Sequence, residues 1–398
     1  MVTVRTIVSL AAARHWHIHQ MDVFNAFLQG DLDDEIYMQL PQGFVGQGEK
    51  SEGGTILMLV YVDDMLITGS SLKLIEDTKK ALQQVFKMKD LGELKYFLGI
   101  EFTRSPAGIL MHQRKYTLEL IVEVGLTAAK PAGTPIDINV KLTSILYDEH
   151  VNKEHEESDD PLIDQTAYQK IIGKLLYLNT TRPDISFSTQ TLSQFLQQPK
   201  RSHLDVGLRV IRYLNKQLGQ GLLLASDSDG QVTAFCDADW ASCPLTRKSV
   251  TGYMVKIGQS LISWKAKKQT TVSRSSDEAE YRSLATTISE LMWLLGLLKE
   301  IGTKIQVPFQ VYSDSKAAIH IAGNPVYHER IKHIEIDCHF IREKLQKGLI
   351  KVEYIHTKEQ PVDVLTKGLS RLQHEHLLSK LGVLNIFAPP SLKGSVVI

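Results

Sequence analysis

Two groups of acidic residues, one in each half of the chain, are spaced in a way that suits metal-assisted phosphate chemistry. The first group centres on Asp63-Asp64, which stands between two short apolar runs at residues 56–62 and 65–68. This pattern predicts a hairpin of a buried sheet with two carboxylates at its tip. Adjacent carboxylates can bind hard divalent cations near a phosphate. Asp is also a common turn former, so this window alone favours an ordinary solvated turn.

A third acid of the first group lies upstream. Residues 18–22 are predicted to form a strand that ends at Asp22, followed by a turn or short helix holding Asn25 to Phe27. An isolated acid after a strand is usually a cap or turn residue. Asp22 is therefore a candidate metal ligand only in combination with the later pair Asp63-Asp64.

The second group of acids is distributed over predicted strands and helices of the second half. A strand from residue 232 delivers Asp237, and further strands over 251–257 and 261–265 suggest a meander. A long helix, N-capped by Ser275 or Ser276 and running to about residue 301, carries Glu280. Asp314 ends another strand, and Asp363 lies where the last helix opens. Oxygen ligands of this kind suit magnesium, and the absence of a Cys/His set argues against zinc.

Composition limits the class of protein without identifying a partner. A chain of 398 residues is expected to form two or three domains, and 43% hydrophobic with 23% charged residues is typical of a soluble globular protein. No apolar run reaches the length of a membrane span. Forty-five basic and 45 acidic residues leave no global positive field, so any nucleic-acid contact needs local basic patches. Three cysteines without a CxxC pair favour a reducing, intracellular compartment.

The elements that position the acids can be placed approximately. Residues 4–12 have the spacing of an amphipathic helix, which is favoured over a targeting signal. A helix over 73–86 and a strand hairpin within 91–116 follow, and the acidic stretch 148–160 is predicted to be a flexible linker. Helices are then expected over 168–178, 186–197 and 203–217.

Two basic groups have open interpretations. The first either contacts phosphates or keeps helix faces soluble; it comprises Lys200, Arg201, Arg209, Arg212 and Lys216. The second comprises Lys265, Lys267 and Lys268, which together with Trp264 could line a nucleic-acid groove. A core position is the more usual role for such a Trp.

The motifs around these acids resemble a known family. Asp22-x-x-x-Ala26-Phe27 and Tyr61-Val62-Asp63-Asp64 resemble the two acidic motifs of reverse transcriptases, and the stretch from Asp31 to Phe44 narrows the match to Ty1/copia-type retrotransposon Pol polyproteins. The element order from residue 232 resembles the ribonuclease H fold. The implied fold class is α/β and α+β multidomain, with a partial reverse-transcriptase palm, a helical thumb or connection, and an RNase H-like mixed five-stranded sheet with helices.

The resemblance also implies roles for the acids and for one aromatic residue. Asp22, Asp63 and Asp64 would be the polymerase triad, and Asp237, Glu280, Asp314 and Asp363 the nuclease set. Each site would hold two Mg²⁺ ions, with Mn²⁺ as a possible substitute. Phe27 falls where the family places an aromatic steric gate that contacts the nucleotide ribose; a core aromatic is an equally good interpretation.

The sequence departs from the family between Phe44 and Thr55. Only a short bridge rich in Gly and Glu, residues 45–54, stands where Ty1/copia enzymes carry a large block with a Lys-Ser-Leu-Tyr-Gly-Leu-Lys-Gln-like segment. Because polymerase catalysis is mostly positioning, three ligands on an incomplete palm predict a defective polymerase. The nuclease set is complete, which predicts an intact ribonuclease H.

The family implies a division of the chain and a set of partners. The predicted units are a truncated palm (1–147), an acidic linker (148–165), a helical thumb or connection (166–225), an RNase H-like domain (230–385) and a tail (386–398). The partners would be an RNA–DNA hybrid, an RNA template with a DNA primer, and dNTPs if the polymerase is active, in the cytoplasm (virus-like particle) or nucleus and not at a membrane. Two alternatives stay open: an inert nucleic-acid-binding remnant, and a misassembled gene model of a full reverse transcriptase.

Overall fold

The computed structural model describes residues 1–23, 54–151, 160–323 and 335–385. Phe27, the acids at 31–35, most of the bridge at 45–54 and the tail at 386–398 lie outside these ranges. Within them the helices are α1 (Val2–Ala13), α2 (Leu72–Val85), α3 (Arg114–Glu123), α4 (Ile145–Val151), α5 (Gln165–Leu178), α6 (Ser186–Leu192), α7 (Arg201–Asn215), α8 (Ser276–Glu300), α9 (Lys316–Gly323), α10 (Glu335–Gln346), α11 (Asp363–Thr366) and α12 (Arg371–Leu378).

The first sheet, here called the N-terminal sheet, is antiparallel and has the strand order β2-β3-β1-β4. Its strands are β1 (His17–Val23), β2 (Ile56–Tyr61), β3 (Asp64–Gly69) and β4 (Met88–Glu93). The predicted hairpin is present, with Val62 and Asp63 as its two-residue turn. Val62 has φ of 54°, a conformation that is strained for a β-branched residue. Helix α2 packs against this sheet through buried Ile75.

The second sheet, here called the linking sheet, joins strands that are far apart in sequence. Its order is β14-β8-β7-β6-β5, all antiparallel. The strands are β5 (Tyr96–Phe97), β6 (Ile100–Ser105), β7 (Gly108–His112), β8 (Gln220–Ala225) and β14 (Val383–Asn385). Strands β8 and β14 were not predicted from the sequence. The predicted domain boundaries stay predictions, but this sheet takes strands from three of the predicted units.

The third sheet, here called the mixed sheet, has the order β11-β10-β9-β12-β13. Its strands are β9 (Val232–Asp239), β10 (Val250–Ile257), β11 (Ser260–Lys268), β12 (Phe309–Ser313) and β13 (Ile350–Tyr354). The first three form the predicted antiparallel meander, and β12 runs parallel to both β9 and β13. Helices α8 and α10 pack on it over a continuous core. Three sheets with packed helices, one of them mixed and five-stranded, confirm the predicted fold class.

Helix α1 exists as predicted but is not amphipathic in its setting. Every residue at positions 4–12 is buried, because the helix lies against β7, β8 and β11. Even Arg5 is buried: its Nε donates to Ile262 O at 2.7 Å, and its guanidinium stacks 3.8 Å from the Trp264 ring centroid. Trp264 therefore packs at an interface between elements, which is closer to the core role than to the groove role.

The described residues at both ends of the predicted acidic linker are ordered by helix formation or ion pairing, while residues 152–159 lie outside the described ranges. Residues 145–151 form α4, and Asp148 and Asp160 both pair with Lys200 Nζ, at 2.5 and 2.9 Å. Lys200 is 3% exposed, so it is not a phosphate contact. A buried ammonium needs carboxylate partners, which explains why two acids of an apparently solvated run are held in place.

None of the described helices combines the length and the apolar character needed to cross a membrane.

Candidate metal centre

The ends of β9 and β12 place two carboxylates side by side. The two strands are parallel, with Tyr312 opposite Phe235 in the register. Asp314 and Asp237 each come two residues later, so they lie level on neighbouring strands at the same edge of the mixed sheet. Asp237 is 2% exposed. The sequence prediction that both strands end on an acid is thus matched by a geometry that brings the two acids together.

Helix α8 adds the third carboxylate, Glu280. The helix begins where predicted: Ser275 is the N-cap, and its Oγ accepts from the Glu278 amide at 3.2 Å. Further along, buried Ser283 ties the helix to the sheet, since its Oγ lies 2.8 Å from Asp237 O and 3.1 Å from Gly252 O. Ser283, about one turn after Glu280, thus holds this part of α8 close to the strand that carries Asp237.

Asp237, Glu280 and Asp314 converge on one point. Each offers a carboxylate oxygen, and these oxygens lie within 4.8 Å of one another. Across the described ranges, no other three His, Cys, Asp or Glu side chains are grouped in this way. This cluster is the candidate metal centre of the chain.

The fourth predicted acid, Asp363, reaches the cluster because a glycine lets its helix approach. Gly252 of β10 faces α11, and a Cβ at this position would lie 2.6 Å from Thr366 Cγ2 and 2.7 Å from Val362 Cγ1. A larger residue here would force these side chains, or the helix that carries them, to shift. The predicted single last helix is wrong: α11 is one turn long, and α12 follows as a separate helix after a short connection.

Side chains on and before α11 fasten it to the strand that carries Asp237. The Thr366 hydroxyl donates to Asp237 Oδ2, and buried Gln360 Nε2 donates to Cys236 O at 2.9 Å. Lys367 Nζ lies 2.9 Å from Asp363 Oδ1 and 3.7 Å from Asp237 Oδ2. Asp363 thus joins the cluster through Lys367 and Asp237 rather than as one of the three convergent ligands.

Burial is the main cause of the raised pKa values of these acids. It raises the pKa of Glu280 to about 9, with the charges of Asp237 and Asp314 adding to the effect. It raises the pKa of Asp363 to about 7, where Asp237 adds and Lys367 opposes. The pKa of Asp237 is raised as well, although Lys367 counteracts burial. Burial alone would lower the pKa of Lys367, but Asp237 and Asp363 more than offset it and raise that pKa.

The cluster suits a hard divalent cation. Its donors are all carboxylate oxygens, the ligands that Mg²⁺ prefers. Buried Glu280 Oε2 has no hydrogen-bond partner among the described residues, and such an orphaned acceptor needs a cation or a donor. A bound divalent ion would also favour the ionised forms of the crowded acids.

The acids nearest to this set are not among the three convergent ligands. Glu278 is buried, accepts from the Arg274 amide at 2.8 Å and pairs with Arg282 at 2.9 Å, so it closes the start of α8. Asp239 is half-buried, and burial raises its pKa while Lys367 lowers it. Asp277 is exposed.

The predicted polymerase acids are arranged differently. Asp22 and Asp64 are cross-strand partners on β1 and β3, and Asp63 is in the hairpin turn. Gln20 Nε2 donates to Asp64 Oδ1 at 3.0 Å, and Asp63 O accepts from the Val23 amide at 2.8 Å. These acids are neighbours but do not form a three-ligand group. Their metal-binding role stays a prediction, and so does the steric-gate role of Phe27, which lies outside the described residues.

Most basic residues of the predicted phosphate-contact group pair with carboxylates instead. Arg209 Nη2 lies 2.6 Å from Asp137, and Arg201 and Lys216 pair with Asp205 and Glu375 at 3.1 and 3.4 Å. By contrast, Lys265, Lys267 and Lys268 line a cleft of about 440 Å³ beside α8 and α10. The second basic group therefore has the more open surface.

Sequence reasoning missed several residues that shape the centre. Lys367 had a usable signal, because the spacing Asp363-x-x-x-Lys367 is one helical turn. Gly252, Ser283 and Gln360 had none, since their partners are distant in sequence and only the fold brings them close.

Comparison with known proteins gives a match to a family and a match to a solved structure. The profile of the family "Reverse transcriptase (RNA-dependent DNA polymerase)" matches residues 1–53 and 46–138, two segments that meet at the bridge. The ribonuclease H1 of Halobacterium salinarum NRC-1 aligns with 34% of this chain and 95% of that chain, at 14% identity and a TM-score of 0.26. That score is low, so the fold assignment rests on the strand order and directions given above.

Two curated relatives match almost the whole chain. The retrovirus-related Pol polyprotein from transposon RE2 of Arabidopsis thaliana is 38% identical over 438 aligned positions, and that from RE1 is 39% identical over 435. Both alignments cover 98% of this chain and 29% of the relative. Because the alignments are longer than the 398 residues of this chain, the relatives contain residues without a counterpart here. The chain therefore belongs to the retrovirus-related Pol polyproteins of copia-type transposons and spans less than a third of their length.

Proposed function

We propose that the second half of this chain is a divalent-metal-dependent ribonuclease that cleaves the RNA strand of RNA–DNA hybrids. The observation that carries the proposal is the convergence of Asp237, Glu280 and Asp314 within 4.8 Å at the edge of a mixed sheet of ribonuclease H order. Family membership supports it, because Pol polyproteins act on nucleic acid. The cluster offers the oxygen donors that phosphodiester hydrolysis with Mg²⁺ requires.

Each acid has a distinct position in this proposal. Asp237, Glu280 and Asp314 would hold Mg²⁺, with Asp363 on the Lys367 side of Asp237 for a second ion. When bound, the metal would supply Lewis acidity toward the scissile phosphate and a more acidic water. The Thr366 hydroxyl and Ser283 hold Asp237 and the start of α8 in place, so the oxygens need little reorganisation.

The polymerase half is proposed to be defective. Its acids do not gather into a three-ligand group among the described residues, and the family profile breaks at the short bridge. Aligned relatives carry residues that this chain lacks. Template and nucleotide positioning would then be lost even if Asp22, Asp63 and Asp64 could bind Mg²⁺.

The partners and compartment follow from the proposed reaction. An RNA–DNA hybrid would be the substrate, whereas an RNA template, a DNA primer and dNTPs would matter only if polymerase activity survives. Such a substrate arises inside cells, in the cytoplasm or nucleus. The cleft lined by Lys265, Lys267 and Lys268 would supply the local positive charge that a neutral chain needs to bind the hybrid.

The test is cleavage of an RNA–DNA hybrid, labelled on the RNA strand, by the purified chain with and without Mg²⁺. Asp314→Asn should reduce the rate by about 1,000-fold or more, because metal-derived stabilisation is worth several kcal/mol. Asp205→Asn is the matched control, since Asp205 is exposed and only pairs with Arg201, and it should leave cleavage unchanged. A folded chain that does not cut the hybrid, or an Asp314→Asn variant that cuts normally, would refute the nuclease.

A further inference from the structure

A protein cation, Lys367 at the C-terminal end of α11, reaches into the acidic cluster. Lys367 follows the last residue of α11, one helical turn after Asp363, and its Nζ contacts Asp363 Oδ1 at 2.9 Å and approaches Asp237 Oδ2 to 3.7 Å. The Lys367 side chain is 33% exposed, while those of Asp363 and Asp237 are 2% and 3% exposed. Its ammonium thus sits between solvent and two buried carboxylates.

The two sides of the cluster differ in how their charge is balanced. On the Asp363 side, Lys367 and the Thr366 hydroxyl contact the carboxylate oxygens. On the other side, Glu280 Oε2 is buried and has no hydrogen-bond partner among the residues described. Asp363 Oδ1 has no hydrogen bond of good geometry either, but it lies in the ion pair with Lys367. A divalent ion at Asp363 would therefore compete with an ammonium already in place, whereas an ion at Glu280 Oε2 would not.

We propose that Lys367 is a resident counter-cation that occupies the Asp237–Asp363 side of the nuclease centre until a second metal ion displaces it. This inference rests on the proposed nuclease. A first divalent ion binds among Asp237, Glu280 and Asp314. A second ion that needs Asp363 competes with Lys367 for the same oxygens, and the two cations repel each other at such separations.

The Lys367 side chain is suited to this exchange. Lys carries a compact charge on a flexible four-carbon stem, so Nζ can move without moving the backbone of α11. Since a third of the side chain already faces solvent, the displaced ammonium can be hydrated at once. The two metal positions should then differ in affinity because of one side chain.

The experiment counts Mn²⁺ ions on the full chain, without nucleic acid, by isothermal titration calorimetry and by the loss of the free-ion EPR signal. The native chain should bind one Mn²⁺ tightly and a second weakly. Lys367→Met should strengthen the second binding by about tenfold or more, which is the usual size of a coupling between neighbouring sites. Lys351→Met, which removes an exposed Lys paired with Glu353, is the charge-matched control and should change neither event.

The outcomes separate this inference from the nuclease itself. Stronger second binding in Lys367→Met alone supports the inference, and Lys367→Arg, which keeps the charge, should behave like the native chain. Isotherms that superimpose for Lys367→Met and native chain, or weaker second binding in the variant, overturn it. If the same native preparation still cleaves hybrid, the nuclease stands. If the native chain binds no Mn²⁺ and cuts nothing, both proposals fail.

Discussion

The N-terminal sheet and the mixed sheet both carry acids at strand ends, yet only the mixed sheet turns them into a compact cluster. In the mixed sheet, Asp237 and Asp314 come from adjacent parallel strands, and α8 lays Glu280 across them. In the N-terminal sheet, Asp22 and Asp64 face each other across antiparallel strands, and no described helix adds a ligand. In the described part of the chain, acids at strand ends therefore form a compact carboxylate cluster where a helix adds a further acid above them.

The surroundings of the two acid sets differ as much as their geometry. Asp237 and Asp363 are 2% and 1% exposed beneath α11, whose approach depends on Gly252. In the hairpin, Tyr61 and Val62 next to the acid pair are 56% and 59% exposed. A buried, cross-braced centre is pre-organised for its ion, whereas an open hairpin must rely on partners to complete it.

The largest expected effect concerns the support beneath α11. Arg182 and Asp184 form a buried ion pair at 2.6 Å, and Tyr213 donates to the same carboxylate at 2.6 Å. Burial opposes the charge of Asp184, but Arg182 and Tyr213 more than offset this and lower its pKa. Asp184→Asn leaves a buried guanidinium without its counter-charge and should lower the free energy of unfolding by about 3–5 kcal/mol, measured by urea denaturation.

The control for that variant is Arg201→Gln, which breaks an exposed pair with Asp205 and should cost about 1 kcal/mol or less. Since the turn at residues 183–185 contacts α11, we expect Asp184→Asn to weaken hybrid cleavage as well. Equal stability of the two variants would show that the connection does not support the nuclease centre.

A smaller loss is expected from Gly252→Ala. The added Cβ would lie 2.6 Å from Thr366 Cγ2. We expect the short, branched side chains there to transmit the clash to α11, which would displace Asp363 and Lys367. A displacement of about 1 Å at a reacting centre can reduce the rate by about 100-fold. Hybrid cleavage measures the loss, and chain stability should fall by about 1–3 kcal/mol through overpacking.

Gly296→Ala provides the matched comparison, because a Cβ on this exposed residue of α8 meets nothing within 4 Å. It should keep full cleavage and gain up to about 1 kcal/mol of stability from helix propensity. If Gly252→Ala cleaves as well as Gly296→Ala, the close approach of α11 is not what positions Asp363.

The smallest expected effect, counted per pH unit, is a pH dependence of the free energy of unfolding in the metal-free chain. Glu280 has its pKa raised from an ordinary 4.5 to about 9, so between these values the folded state retains a proton that the unfolded state has lost. The contribution of Glu280 to the free energy of unfolding is therefore fully present at low pH. It declines as pH rises, by at most about 1.4 kcal/mol per pH unit.

Urea denaturation with a chelator present, from about pH 5 to about pH 8, measures this slope. Glu280→Gln should reduce this slope, most clearly above about pH 7, because Asp363, with its pKa raised to about 7, contributes mainly below that pH. Added Mg²⁺ should counteract the slope in the native chain. Glu300→Gln, at the exposed end of the same helix, should keep the native slope. A slope between about pH 7 and about pH 8 that is unchanged in Glu280→Gln would mean that another group is responsible.

The sequence predicts the elements well where local patterns determine them. The hairpin around Asp63, the strand before Asp237 and the capped start of α8 at Ser275 all follow from turn residues, alternation and capping. What it did not predict depends on distant partners. Strand β8 forms because β7 and β14 flank it, and Lys200 is buried because two remote acids pair with it.

The same distinction applies to the candidate centre. The acids themselves could be named from predicted strand ends and a predicted helix. How deeply their side chains are buried could not be predicted from the sequence. Gly252 looks like any strand glycine in the sequence, and only the packing of α11 on β10 shows why a side chain is excluded there. Lys367 contacts Asp363 through local helical spacing, while its approach to Asp237 needs the fold.

One measurement tests the contrast between the mixed sheet and the N-terminal sheet most directly. A single purified preparation with Mg²⁺ is assayed for cleavage of an RNA–DNA hybrid and for extension of a DNA primer on an RNA template. The account predicts hybrid cleavage that Asp314→Asn abolishes, together with no detectable primer extension. Primer extension that Asp64→Asn abolishes, or a folded chain that cuts no hybrid, would contradict it.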